Sequence, residues 1–102
     1  MNQQDYLKRF KEVTDLMLSI TTAKNSDYSG VEDAFKNFKL IELLTGGKIQ
    51  AEHGLLVRLT DKLQRVSNLL EHDAFVQDEK ITDTLLDMAN YAIILKIYLE
   101  NK

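Results

Sequence analysis

The sequence contains no cysteine, no proline and no tryptophan, and only four glycines in 102 residues. Without cysteine there is no disulfide and no thiolate metal ligand. Without proline the commonest helix breaker is missing, which favours long uninterrupted helices. Thirteen Lys and Arg against sixteen Asp and Glu give a net charge of −3. That balance argues against non-specific nucleic-acid binding, which relies on an excess of cations. No apolar run reaches the ~20 residues needed to span a bilayer. The N-terminal MNQQDYLKRF lacks the basic start and apolar stretch of a signal peptide. The composition predicts a single all-α domain over residues 1–102, soluble and cytoplasmic.

What is present is helical periodicity broken in few places. Polar, turn-prone residues cluster at Lys24–Gly30, Gly46-Gly47 forms a second break, and the periodicity fades over Glu71–Asp78. These breaks predict a four-helix bundle with helices over about 3–20, 31–45, 51–71 and 79–101. Asn2 is the expected N-cap of the first helix and Asp78 that of the fourth. The third helix has an expected core stripe of Leu56, Leu59, Leu63, Val66 and Leu70, and the fourth one of Ile81, Leu85, Met88, Ala92, Leu95 and Leu99. The fourth helix ends in YAIILKIYL, apolar almost all round, with Ile94 and Ile97 continuing its polar stripe. Such a helix is buried on several sides, which predicts a homo-oligomer formed through it.

Polar chemistry concentrates on two stripes. On the third helix Arg58, Asp61, Lys62, Arg65, Asn68 and His72 lie within ~120° of one another, opposite the expected core stripe. On the fourth, Glu79, Asp83, Asp87 and Asn90 share a narrow stripe. One reading is structural: a solvated helix face laced by Arg58–Asp61 and Asp61–Arg65 pairs, with acids placed at a helix start. The other sets the stripes opposite each other across a cleft. Asp83 and Asp87, one turn apart, then hold a divalent cation, with Asp61 as a third oxygen ligand. Mg²⁺ suits so sparse a carboxylate set and keeps waters for substrate phosphates. Arg58, Lys62 and Arg65 would face those phosphates. Glu79 is a remote candidate base, and Tyr28 or Tyr91 would contact the base ring.

The blocks Lys24-x-x-Asp27-Tyr28, Asn37-Phe38, Arg58-x-x-Asp61-Lys62-x-x-Arg65-x-x-Asn68-Leu69 and Asp83-Thr84-Leu85-x-Asp87-x-Ala89-x-Tyr91-Ala92 resemble the nucleotide modification associated domain family, small α-helical proteins of bacteria and their phages. The resemblance covers about Lys24 to Leu99. It implies a nucleotide-related role, with Lys24, Tyr28, Arg58, Lys62, Arg65, Asn68 and Tyr91 around a phosphorylated nucleotide, in the host cytoplasm if phage-encoded. A more distant likeness is to the MazG-like all-α nucleoside triphosphate pyrophosphohydrolases. Asp87 and the run after it are similar to their second acidic block, whereas Thr84 stands where that block has an acid. Together these likenesses imply nucleotide binding with Mg²⁺-dependent hydrolysis. The alternatives are a protein that sequesters a nucleotide without turning it over, and a helical interaction module.

Overall fold

The computed structural model describes residues 1–30, 32–72 and 80–102. The chain is all-α, with four helices: α1 (Gln3–Ser29), α2 (Lys36–Leu44), α3 (Ala51–Glu71) and α4 (Ile81–Glu100). No strand occurs among the described residues. The contacts divide the chain into two compact units, Met1–Lys36 and Asn37–Lys102.

In the first unit, the Asn2 side chain accepts a hydrogen bond from the Asp5 N–H at 2.8 Å, so the expected N-cap forms. Surface pairs Arg9–Glu12 and Lys11–Asp15 join successive turns. The helix was expected to end near Ile20 and instead runs to Ser29. The reason lies in where the polar side chains turn. Thr22 Oγ1 donates to the Leu18 carbonyl one turn back, and Asn25 Nδ2 donates outward to the Ala34 carbonyl at 2.7 Å. Neither side chain diverts the backbone hydrogen bonds of its own turn. Termination waits for Gly30, at φ 75°. Tyr28 is therefore helical rather than part of a turn. The second helix was expected from Val31, which lies outside the described residues. It begins at Lys36, after Asp33 has accepted the Phe35 N–H on its side chain and the Lys36 N–H on its carbonyl.

In the second unit, α2 closes on the double glycine. Gly47 N–H donates to the Glu42 carbonyl at 2.8 Å and Gly46 N–H to the Leu43 carbonyl, both glycines at positive φ. This is a Schellman ending, which a residue bearing Cβ would strain. The third helix begins and ends where the sequence predicts, at 51 and 71. Its first N–H, that of Ala51, donates to Glu42 Oε1 at 2.8 Å, so α2 supplies the cap that Gln50 does not. Gly54 lies against α2: a Cβ there would stand 3.3 Å from Ile41 Cγ2. The fourth helix starts at Ile81 with Lys80 as an N-cap that makes no side-chain cap bond. Asp78, the expected cap, lies outside the described residues.

α3 and α4 pack antiparallel, since Lys62 meets Asp87 and Glu52 meets Lys102. The side chains they bury match the expected stripes only in part: Val66 is buried and Leu59, Ile81, Met88 and Leu95 are half-buried. Ala51, Leu55 and Val66 of α3 and Thr84 and Tyr98 of α4 are buried, whereas Leu56, Leu63, Leu70, Leu85 and Leu99 are largely exposed. Apolar residues cover an arc of α3 wider than one partner helix occupies. The side chain that sits between the axes is Leu55, and Leu56, one residue on and about 100° round the helix, falls outside. No described helix is long and apolar enough to cross a membrane.

Candidate functional site

The polar edge of the α3–α4 pair carries most of the predicted site. Arg58 leaves α3 towards two rings: its guanidinium carbon is 5.2 Å from the centroid of Phe38, on α2, and 5.9 Å from that of Tyr91, on α4. The quadrupole of each ring attracts the cation. One turn along α3, Lys62 Nζ stands 3.5 Å from Asp87 Oδ2 on α4, both side chains about one-third exposed. One turn further, Arg65 is half-buried. Positions 58, 62 and 65 share an edge of the helix and set three cations over about 10 Å.

Lys62 of the α3 stripe and Asp87 of the α4 stripe thus meet across the helix pair. α3 was expected to turn its polar stripe away from its packing face. In fact Lys62 and Arg65 border that face, because the helix is rotated towards Leu55. Asp61 and Asn68 sit on the solvent side of α3, and Asp61 makes no ion pair among the described residues. Asp83 is exposed, one turn before Asp87. Among the described residues no three His, Asp or Glu side chains stand together as a metal cluster, so Asp61, Asp83 and Asp87 do not gather as a trio. Asp83 and Asp87 alone fit a Mg²⁺ held chiefly through water and phosphate oxygens. Glu79 lies outside the described residues. Lys24 and Tyr28 are exposed on α1, four residues apart and so on one helical face.

Two features escaped the sequence reading. Phe38 enters the sequence reading only in the family resemblance, and its contact with Arg58 spans twenty positions that periodicity does not relate. Its one signal is the Asn37-Phe38 block. The other feature is a carboxylate cluster where α2, α3 and α4 meet. Glu42 Oε1 accepts from both the Ala51 N–H and the Tyr98 hydroxyl, the latter at 3.4 Å. Burial, and then the charges of Glu42 and Glu52, push the Tyr98 phenol above its ordinary pKa. The hydrogen bond from Lys102 holds Glu52 below the usual carboxylate range, against the opposing effect of burial, and Glu52 raises Lys102 in return.

The chain is all-α and carries a row of cations along one helix edge, one of them set between two aromatic rings. The chain belongs to the nucleotide modification associated domain 1 family, which it matches over residues 24–99. Every predicted site residue lies within that span. No curated protein and no solved structure matches it.

Proposed function

We propose that this chain binds a phosphorylated nucleotide along the α3–α4 edge. The observation that supports this reading is the Arg58 guanidinium held against Phe38 and Tyr91, one turn from Lys62. A planar guanidinium already held near two rings loses less entropy on making bidentate bonds to phosphate oxygens. Lys62 and Arg65 extend the row, and Tyr91 and Asn68 are candidates for the base and sugar. In the resting protein Asp87 neutralises Lys62. A phosphate arriving at Lys62 takes over that role and releases the Asp87 carboxylate. Mg²⁺ carried in on the phosphates would then be held by Asp87 and Asp83, and supplies charge neutralisation that favours hydrolysis between phosphates. The setting is the cytoplasm, the host's if the protein is phage-encoded.

A second reading, sequestration without turnover, is favoured by Asp87 being engaged with Lys62 rather than with other acids. Calorimetry with linear and cyclic nucleotides, with and without Mg²⁺, followed by chromatography of the recovered ligand, separates the two. Binding is expected, and Arg58→Ala is expected to weaken it by about tenfold or more. Turnover that disappears in Asp87→Asn identifies an enzyme, and intact ligand identifies sequestration. If no phosphorylated nucleotide binds, both readings fail.

A further inference from the structure

The cation-bearing edge is one side of the α3–α4 pair, and on the opposite side the two helices expose a row of leucines. Arg58 level with Tyr91 and Lys62 level with Asp87 fix the register of the antiparallel helices. Leu63 then comes level with Leu85, and Leu56 with Ala92. Leu56, Leu63 and Leu70 on α3 lie about 60–100° round from Leu55, on the side away from Arg58, and Leu85, Ala92 and Leu99 occupy the matching side of α4. Both rows repeat every seven residues. All five leucines are open: 53%, 57% and 74% along α3, 46% and 51% along α4.

We infer that this face is the interface with a second copy of the chain. The charge pattern selects the occupant. Between and beside the leucines stand the exposed Thr60, Ser67 and Ala89, which are small and uncharged. Lys96, beside Ala92 and Leu99, is paired with Glu100, and Glu52 at one end with Lys102. A nucleic acid or an anionic membrane would need unpaired cations around such a face, and an acidic or basic partner would need the opposite charge. A neutral face fits another neutral face, and two antiparallel rows of equal seven-residue pitch are complementary to their own two-fold copy. Two helix pairs stacked in this way make a four-helix bundle. The size agrees. Five half-open leucines leave on the order of 400–500 Å² apolar, high for the largest patch of a monomer. With the small residues between them the face approaches the ~800 Å² that each partner of a stable dimer buries. This surface differs from the one centred on Ile94 and Ile97 that the sequence suggested.

Light scattering of the full chain over a concentration series tests the interface. The expected mass is twice 11.8 kDa. Leu63→Lys with Leu85→Lys is expected to give a monomer of unchanged helical circular dichroism. Ile93→Lys, on the far side of α4, is expected to leave the dimer intact. Should the lysine variants fail to fold, Leu63→Ala decides, because alanine favours the helix while removing the contact. It is expected to raise the dimer dissociation constant about tenfold, or ~1.4 kcal/mol. A wild-type monomer at every concentration overturns the proposal, as does a dimer that survives the Leu63 and Leu85 changes or that Ile93→Lys dissociates.

Discussion

Glu42 serves three helices with one carboxylate: it lies on α2, caps the first N–H of α3 and accepts from the Tyr98 hydroxyl of α4. Glu42→Ala is expected to lower stability by about 1–2 kcal/mol, the range of a lost helix cap, read from thermal or urea melts. Glu42→Gln keeps an acceptor oxygen for the Ala51 N–H and should cost less. Beside it, the Glu52–Lys102 pair makes stability depend on pH. The folded pKa of Glu52 is depressed, so its contribution is present above the ordinary glutamate value of 4.5 and is lost as pH falls through the folded value. Lys102 is raised, so its share persists until pH climbs through its own folded pKa, above 10.5. Melting temperature should fall between about pH 5 and pH 3 in the wild type, and less steeply in Glu52→Gln.

At the scale of elements, Gly54 sets how closely α2 approaches α3. Its added Cβ would sit 3.3 Å from Ile41 Cγ2, tight but against a half-exposed side chain that can give way. Gly54→Ala is expected to be neutral to stabilising by up to about 1 kcal/mol, since helix propensity favours alanine by that amount. Gly54→Val brings two more carbons to the same contact and should destabilise. Element boundaries were legible where local chemistry decides them. Asn2 and the Gly46-Gly47 ending were read correctly, and so was the span of α3. The end of α1 was not, because Asn25 has two uses for its side chain, capping its own backbone or reaching Ala34, and only the folded loop selects between them. The buried face of α3 was read in part: Val66 was named and Leu55 was not. Leu55 and Leu56 both keep helical spacing to the rest of the stripe, and the choice between them belongs to α4. Arg58, Lys62, Asp87 and Tyr91, which meet along the α3–α4 edge, were all named, since charges and tyrosines stand out on helical faces. Phe38 and Glu42 act through long-range contacts that no local pattern encodes.

For the whole molecule, the net charge of −3 and the local row of Arg58, Lys62 and Arg65 predict different responses to different anions. A compact polyphosphate meets the row alone, whereas a duplex longer than the row also meets the surrounding acids. Nucleotide affinity should fall as salt rises, because screening acts on the exposed cations. Duplex DNA should show no retention in a filter-binding assay at physiological salt. Retention of duplex DNA would mean that the cations extend over a wider surface than this edge.

The ring pair around Arg58 also makes the protein easy to observe. The chain has no tryptophan, so Phe38→Trp would install a lone indole directly against the guanidinium. Its emission, excited at wavelengths where tyrosine is silent, would report on that cation and little else. A ligand that draws Arg58 outward is expected to shift or brighten the emission. Salt added at constant ligand should reverse the change, turning the Arg58–Phe38 contact into an optical titration.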